Sequence, residues 1–440
     1  MSLKQQLVDR IQNSEATLAV IGLGYVGLPL AVEFASEGFH VIGIDVDEKK
    51  IATLQAGKSY IPDVPTEKVA TLIESGYLKA TTDYSALANV DTVNICVPTP
   101  LQENHDPDMS YIISAIESII AHSHPGMLIV LESTTYPGTT EEIIQPRIEA
   151  QGYTTGEDIF IAFSGERIDP GNATYGVHNT PKVVGGVTPN CSEIAVALYS
   201  ITIETVVPVS STTTAEMVKL VENTFRAVNI GLVNEIAIMC DRLGLNPWEV
   251  IDAAATKPFG FMPFYPGPGL GGHCIPIDPL YLSWKMKTLH YNARFIELAD
   301  EINSSMPRYV ISKITDALND EAKALRGSKV VILGVAYKPN IDDVRESPAL
   351  EIIDILYEKG ADVTYHDPYV ASIRIGKGET QIMTSTDMDA DLLANADCVV
   401  VVTNHKSIDW QFVLEHSSLI VDTRHAIIPG DHGSTRVIGL

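Results

Sequence analysis

The residue that most directly suggests chemistry is Cys274, which ends a segment rich in glycine. Four of the seven residues from Gly267 to His273 are glycine, and Asp278 lies four positions after the cysteine. Glycine lets a ligand come close to the backbone, which a cysteine packed in a core does not require. The thiolate is the nucleophilic form of cysteine, and no second cysteine or histidine follows at the spacing of a zinc site. The segment therefore predicts a nucleophile, and no metal is expected.

The carboxyl group of Asp278 has two interpretations. If a helix begins at Cys274, the two side chains project from one face, and the carboxylate could orient water toward a thioester. Alternatively, Asp278 is one of the acidic residues that the N-termini of helices attract. The residue pattern leaves both interpretations open.

Further polar residues lie on a long predicted helix. Lys219, Asn223 and Arg226 occur at positions i, i+4 and i+7, so they share one stripe. In a catalytic interpretation, Lys219 stabilises an alkoxide and Asn223 donates its amide to it. In the simpler interpretation, the stripe faces solvent and Lys219 pairs with Glu222.

Glu166 and Arg167 follow a predicted strand, within the sequence Ser-Gly-Glu-Arg at 164–167. Ligands of open α/β sheets bind beyond the carboxyl ends of the strands, so Glu166 is expected to reach the same cleft. The alternative is an exposed ion pair within the loop.

A dinucleotide-binding fingerprint lies near the start of the chain. Residues 22–27 read G-x-G-x-x-G between a predicted strand and a predicted helix, where backbone N–H groups can hold a pyrophosphate. Asp45 ends the second strand, 18 residues past Gly27, where a carboxylate would bind a ribose 2′-hydroxyl and repel a 2′-phosphate. The pattern favours NAD over NADP, and FAD, which uses the same fingerprint, is a minor alternative.

Two threonines follow later strands of the same region. Thr99 lies in Val-Pro-Thr-Pro at 97–100, and Thr134 lies in Glu-Ser-Thr-Thr at 132–135. Their position after apolar strands predicts contacts to the cofactor or to a bound water. Helix capping is the alternative for each.

The elements that must position these residues alternate between strands and helices. Apolar runs and helical stretches predict a doubly wound α/β region through about residue 205 and a second one from Lys329. Between them, residues 213–243 contain one glycine and no proline, and their apolar residues recur at helical spacing. We therefore expect an α/β protein with two Rossmann-like domains joined by a long central helix. The expected domains are 1–205 for NAD, 206–320 for the helices that carry Lys219 and Cys274, and 321–440 for the second Rossmann-like region, to which the family resemblance described below assigns UDP binding.

The composition restricts the partners. The net charge of −26 argues against nucleic acid and anionic membranes. The five cysteines are scattered and form no CxxC pair, which predicts a reducing compartment. Neither an apolar signal region nor a run of roughly 20 apolar residues is seen, so the cytoplasm is the expected location.

Seven segments together resemble the nucleotide-sugar 6-dehydrogenases, which oxidise UDP-glucose and UDP-N-acetylhexosamines. The resemblance covers the whole chain in order and implies a four-electron oxidation of C6 with NAD⁺, through a thiohemiacetal and a thioester on Cys274. It also implies a UDP-sugar substrate and a homodimer formed through the long helix. The segments are GLGYVGLPLA, VPTP, ESTTYPGTT, SGERIDPGN, AEMVKLVENTFRAVNIGLVNE, PGPGLGGHCIPIDP and GVAYKPNIDDVRESP.

The residue patterns and the resemblance together predict the site residues. One departure from the family is Gly165, which replaces a proline and removes its constraint on φ. The predicted catalytic residues are Cys274, Lys219, Asn223, Asp278, Glu166 and Thr134. The predicted cofactor contacts are Gly22, Leu23, Gly24, Tyr25, Val26, Gly27, Asp45, Lys50, Pro98, Thr99, Thr134 and Arg345. The predicted substrate contacts are Glu166, Arg167, Lys219, Asn223, Arg226, Phe264, Tyr265, Gly271 and Lys338.

The sugar is the least determined feature. The segments around Phe264 and Cys274 are more similar to the N-acetylhexosamine branch, so UDP-N-acetylglucosamine is expected first, UDP-N-acetylmannosamine second and UDP-glucose third. Two rival functions remain. One is a two-electron hydroxyacid or 6-phosphogluconate-type dehydrogenase, which needs no cysteine. The other is a nucleotide sensor that binds NAD without turnover.

Overall fold

The fold was analysed in a computed structural model of the chain, which describes residues 1–102, 106–168, 174–376, 381–427 and 433–440. The last residues of the SGERIDPGN segment, 169–172, lie outside this part. The chain forms two compact units. Unit 1 comprises residues 1–222 and 284–291, and unit 2 comprises residues 223–283 and 292–440.

Unit 1 is built on an eight-stranded sheet with the strand order β3-β2-β1-β4-β5-β6-β7-β8. All neighbouring strands are parallel except β6 and β7, which pair antiparallel. The strands are β1 (Thr17–Ile21), β2 (His40–Ile44), β3 (Leu78–Thr81), β4 (Thr92–Ile95), β5 (Leu128–Leu131), β6 (Phe160–Phe163), β7 (Lys182–Gly186) and β8 (Val206–Val209).

Helices connect these strands and bury their apolar sides in two hydrophobic clusters of unit 1. The helices are α1 (Leu3–Gln12), α2 (Gly27–Ser36), α3 (Glu48–Gln55), α4 (Thr66–Glu74), α5 (Ser110–Ile120), α6 (Gln145–Glu149) and α7 (Pro189–Thr202), with a 3-10 helix at Tyr84–Asn89 and a π-helix at Thr140–Ile144.

The register of the sheet brings the predicted ligand loops of unit 1 to one edge. Ile21 pairs with Ile44 and Ile95, and Leu131 pairs with Ile95 and Phe163. The strands therefore end level with one another. The residues that directly follow them, Gly22, Asp45, Cys96, Glu132 and Ser164, lie side by side at the carboxyl edge, where α/β proteins bind ligands.

A helix of 32 residues, α8 (Thr212–Leu243), begins in unit 1 and continues into unit 2. Its one glycine, Gly231, lies where the helix meets α11 (Arg294–Asp320). A Cβ at this position would stand 3.1 Å from the Cα of Ala299, so the small residue permits the close contact. The other helices of this region are α9 (Pro247–Ala255) and α10 (Asp278–Thr288).

Unit 2 contains the second sheet, which is parallel and has the order β10-β9-β13-β14-β15. A separate antiparallel hairpin pairs β11 with β12. The strands are β9 (Lys329–Leu333), β10 (Asp362–His366), β11 (Ser372–Ile375), β12 (Gln381–Thr384), β13 (Cys398–Val401), β14 (Leu419–Asp422) and β15 (Arg436–Gly439), and the helices are α12 (Pro348–Glu358), α13 (Ala390–Ala394) and α14 (Trp410–His416).

The predicted fold class is confirmed: the protein is α/β, with two Rossmann-like sheets joined by a long central helix. The three-domain boundaries remain a prediction. Among the residues that the structure describes, no helix has the length and apolarity to cross a bilayer.

Candidate active site

The glycines of the fingerprint form a tight turn between β1 and α2. Gly22 has a φ of +89°, and a Cβ there would stand 2.5 Å from the carbonyl oxygen of Cys96. A Cβ on Gly27 would overlap the carbonyl oxygen of Gly22. A Cβ on Gly24, in contrast, would meet no atom of the described residues within 4 Å. The protein's own packing thus explains Gly22 and Gly27, whereas the open space at Gly24 fits the approach of a pyrophosphate.

The carboxylate of Asp45, which directly follows β2, lies beside this turn. The backbone N–H of Leu23 donates to Oδ2 of Asp45 at 2.8 Å, and Lys50 Nζ lies 3.1 Å from the same oxygen. The hydroxyl of Tyr60 donates to the carbonyl oxygen of Leu23 at 2.6 Å and braces the turn from the other side. Asp45 is therefore fixed next to the predicted phosphate turn, where an adenosine ribose would need it.

The loops after β4 and β5 are tied together. The hydroxyl of Ser133 donates to the carbonyl oxygen of Val97 at 2.7 Å, which brings the segment with Pro98 and Thr99 beside the segment with Thr134. The loop that follows Thr134 is held by a buried carboxylate of α8. Glu216 accepts hydrogen bonds from the N–H groups of Gly138 and Thr140 at 2.6 and 2.9 Å.

Unit 2 repeats part of this arrangement in its own sheet. Gly334 has a φ of +82°, and its N–H donates to the carbonyl oxygen of His366, as Gly22 does to Ile44. Asp367 accepts from the N–H of Val335 at 2.7 Å, as Asp45 does from Leu23. Its carboxylate, however, also contacts the buried ring of His405 at 3.0 Å. Asp367, which directly follows β10, therefore binds groups of unit 2 itself, the N–H of Val335 and the ring of His405.

Glu166 belongs to a buried polar cluster of unit 1. Lys182 Nζ lies 2.8 Å from Oε2 of Glu132 and 3.4 Å from Oε2 of Glu166. The other oxygen of Glu166 accepts from the N–H groups of Arg167 and Ile168 at 2.6 and 2.9 Å. Both carboxylate oxygens of Glu166 are therefore fixed by donors within its own unit.

Lys219 lies beside the same loop. A Cβ on Gly165 would stand 3.3 Å from the Cβ and Cγ of Lys219, so glycine at this position lets the loop approach α8 closely. The guanidinium group of Arg167 pairs with Glu222 at 2.5 Å. The sequence-based alternative, in which Glu222 pairs with Lys219, is therefore not the arrangement found.

Cys274 is exposed and lies in unit 2, in the turn that leads into α10. The helix begins at Asp278 rather than at Cys274, so the condition for the two side chains to share one helical face is not met. Instead, the N–H of Asp278 donates to the carbonyl oxygen of Cys274 at 2.8 Å. The buried carboxylate of Asp278 accepts from the side-chain amide of Asn223 at 2.5 Å, so two predicted catalytic residues are in contact.

The glycine-rich segment packs against the loop that contains Lys338 and Arg345. A Cβ on Gly271 would stand 2.7 Å from the Cβ of Tyr337, and the N–H of Gly272 donates to the carbonyl oxygen of Arg345 at 3.1 Å. Burial, and then the nearby Arg345, lower the pKa of His273, so its imidazole is neutral at pH 7.

The remaining predicted substrate residues of unit 2 are partly exposed. Phe264 packs edge-to-face on Phe225 with ring centroids 5.8 Å apart, and Tyr265 donates to Asp252 at 2.6 Å. Arg226 is exposed on α8.

Sequence reasoning missed several polar residues that hold these loops: Glu132, Lys182, Tyr199, Asn94, Glu216, Asp367, His405 and Arg424. Glu132 and Asp367 follow strands directly, as Asp45 does, which is a signal that could have identified them. Arg424 could not have been found this way. Its guanidinium group packs against Gly267, where a Cβ would stand 2.5 Å from it, and these two residues are far apart in the sequence.

The fold and the turn of residues 22–27 in unit 1 define a dinucleotide-binding protein. Three segments match the NAD binding domain (16–203), the central domain (213–305) and the UDP binding domain (331–429) of the UDP-glucose/GDP-mannose dehydrogenase family. The chain belongs to this family, and it is an NAD-dependent UDP-sugar dehydrogenase.

Named relatives are similar over nearly their whole length. The chain is 38% identical to UDP-N-acetyl-D-mannosamine dehydrogenase of Escherichia coli K12 over 93% of this chain and 99% of that protein. The structure of UDP-D-ManNAc dehydrogenase from Pyrococcus horikoshii matches with a TM-score of 0.87 at 32% identity, covering 96% and 98% of the two chains. An NDP-N-acetyl-D-galactosaminuronic acid dehydrogenase from Methanosarcina mazei Go1 matches with a TM-score of 0.82 at 30% identity, covering 100% and 98%.

Proposed function

We propose that the protein oxidises the C6 hydroxyl of a UDP-N-acetylhexosamine to the uronic acid. NAD, when bound, supplies the oxidising capacity for both two-electron steps, from the alcohol to the aldehyde and from the thiohemiacetal to the thioester. The observation that carries the proposal is the exposed Cys274 in its glycine-rich turn, four residues before Asp278, whose buried carboxylate is held by Asn223. A two-electron dehydrogenase has no use for a nucleophile presented in this way.

Each side chain has a role in this proposal. Lys219 stabilises the negative charge on the sugar oxygen, and the Asn223 amide supports it. The Cys274 sulfur adds to the C6 aldehyde, and the resulting thiohemiacetal is oxidised to a thioester. Asp278 and Glu166 accept protons from the water that hydrolyses this thioester, with Thr134 orienting the water.

The preferred sugar is proposed from the relatives. The bacterial and archaeal relatives named above include UDP-N-acetylmannosamine dehydrogenases. They move the mannosamine epimer ahead of UDP-N-acetylglucosamine, which the sequence segments had favoured. The two sugars differ only in configuration at C2, so a few loop contacts decide between them.

A substrate panel tests the proposal. With NAD and equal concentrations of UDP-N-acetylmannosamine, UDP-N-acetylglucosamine and UDP-glucose, kcat/KM should be highest for the mannosamine sugar. The margin over UDP-glucose should be about 10-fold or more, the size expected for one recognised substituent. A preference for UDP-glucose would contradict the sugar assignment. NAD binding without turnover of any UDP-sugar would favour the sensor function instead.

We also propose that the chain forms a homodimer through α8. Within unit 2, this helix exposes Phe225, Leu232 and Met239, which are about half accessible and lie seven residues apart. Apolar residues repeated at this interval form the seam between paired helices. A cytoplasmic location likewise remains a prediction, based on the scattered cysteines.

Replacing Leu232 with aspartate should convert the dimer into a monomer, because the new charge would have to be buried in the seam. Sedimentation velocity measures the change in mass. The matched control is Ser304→Asp, which adds the same charge at an exposed position of α11. A wild-type chain that sediments as a monomer, or an unchanged dimer in the Leu232 variant, would refute this interface.

A further inference from the structure

A buried ion pair of unit 1 lies next to Glu166. The side chains of Lys182 and Glu132 are 4% and 0% exposed, and their ammonium and carboxylate groups are 2.8 Å apart. Asn94 Nδ2 donates to Glu132 at 3.0 Å, and the hydroxyl of Tyr199 donates to the same oxygen. The lysine also lies over the ring of Tyr199, 5.0 Å from its centroid.

Stability alone does not account for a buried ion pair of this kind. Desolvation of the two ions offsets most of their attraction, and apolar residues of similar size are often as stable. The sheet indicates what the lysine does. In the antiparallel pair of β6 and β7, Ala162 lies opposite Gly186 and Phe163 opposite Gly185. Lys182 begins β7 and Glu166 follows the end of β6, so the antiparallel pairing brings the two residues to the same end of the strand pair, with Nζ of Lys182 3.4 Å from Oε2 of Glu166.

We propose that Lys182, backed by Glu132, is a positioning residue that holds Glu166 as a fixed carboxylate for the hydrolytic step. The inference rests on the proposed function, in which Glu166 accepts a proton from water. Lys182 itself touches neither substrate nor cofactor in this proposal, and acts only through Glu166.

The electrostatics of the cluster agree with the geometry. Burial alone would raise the pKa of Glu166, but Lys182 and the N–H groups of Arg167 and Ile168 outweigh it and lower that pKa below its ordinary value. Burial raises the pKa of Glu132 despite the nearby lysine. The charged and titratable groups around Glu166 are Lys182, Glu132, Lys219, Arg167, the hydroxyl of Tyr199 and the thiol of Cys96.

Removal of the Lys182 cation should make kcat more sensitive to acid. In the wild type, the lowered pKa keeps Glu166 ionised to a lower pH than an ordinary glutamate, so its protonation adds no acidic limb to kcat near neutral pH. In Lys182→Met, burial is no longer offset by the lysine, and Glu166 becomes protonated as the pH falls. We expect the acidic limb of the kcat–pH profile to move to higher pH by at least about one unit. One pH unit below its new midpoint, the variant should retain about a tenth of its own maximal rate.

Comparison of three variants separates this effect from misfolding. Lys182→Met leaves the Glu132 carboxylate buried without its cation, whereas the double variant E132Q/K182M removes both charges together. Both should show the displaced limb. Lys182→Arg keeps the cation and should retain a limb closer to that of the wild type.

The carboxyl group of Glu166 can also be titrated directly. Infrared spectra of protein with 13C-carboxyl-labelled glutamate, compared with the Glu166→Gln variant, report its protonation whether or not a UDP-sugar is turned over. This keeps failure of the inference distinct from failure of the proposed function. The Glu166 band should titrate at higher pH in E132Q/K182M than in the wild type. An unchanged titration, or a loss of rate that is equal at every pH, would overturn the role of Lys182.

Discussion

Replacing Cys274 with serine is expected to lower kcat for uronate formation by on the order of 10³-fold or more. A serine hydroxyl at neutral pH is a far weaker nucleophile than a thiolate, so the covalent steps that follow the aldehyde fail. Binding should be nearly unaffected, because the two side chains differ by one atom and Cys274 is exposed in a turn fixed by backbone hydrogen bonds. The Kd of NAD and of the UDP-sugar should stay within about 3-fold of the wild type, less than one lost hydrogen bond would change it.

The measurement combines steady-state uronate formation with isothermal titration of each ligand. Cys240→Ala is the matched control, since it removes a buried thiol of the same unit that lies on α8. It should keep kcat close to the wild-type value. Turnover at the wild-type rate in Cys274→Ser would eliminate the thioester route, whereas a parallel loss in Cys240→Ala would indicate a general effect of thiol removal.

The second large effect is expected for Lys219→Ala, which should lower kcat by about 10²- to 10³-fold, the size measured when one group that stabilises a developing oxyanion is removed. Lys219 lies against Gly165 beside the loop of Glu166, and not in the phosphate turn of residues 22–27. The affinity for NAD should therefore change little.

A second measurement compares the rates of Lys219→Ala and the wild type on ordinary substrate and on substrate deuterated at C6. If Lys219 stabilises the sugar alkoxide, its loss slows the breaking of the C6–H bond, and the deuterium isotope effect on kcat should increase. Arg242→Ala removes a cation from the last turn of the same helix and serves as the control. An isotope effect and a rate in Lys219→Ala close to the wild-type values would show that the lysine belongs to a solvated face.

Sequence reasoning succeeded where the chemistry is encoded locally. The turn at residues 22–27 and the carboxylate of Asp45 could be predicted, because parallel strands with level ends bring such residues together in every doubly wound sheet. The long helix could be predicted for a similar reason. An apolar stripe at helical spacing over some thirty residues, interrupted by a single glycine, is typical of one continuous helix.

The partners of Glu166 could not be predicted because they depend on tertiary register. Lys182 reaches Glu166 because β7 runs antiparallel to its neighbour β6, whereas the other neighbouring strands of the sheet are parallel. Nothing in the local sequence of β7 indicates that reversal. Residues of α7 and β4, Tyr199 and Asn94, then complete the cluster from remote parts of the chain.

The start of α10 shows a different limit. Spacing alone allowed a helix from Cys274, but Pro276 and the glycines before the cysteine favour a turn, and the helix begins at Asp278. The backbone N–H of Asp278 thus closes the turn of Cys274, and the side-chain carboxylate of Asp278 accepts a hydrogen bond from Asn223. A single contact between two side chains 55 residues apart could not have been derived from composition or periodicity.

The stoichiometry of the reaction tests the central claim most directly. Purified enzyme is given a limiting amount of UDP-N-acetylmannosamine with excess NAD, NADH is counted by absorbance, and the sugar product is identified by mass spectrometry. The proposed mechanism predicts two NADH and one uronic acid for each sugar consumed. One NADH for each sugar, with an aldehyde or ketone as the product, would contradict it.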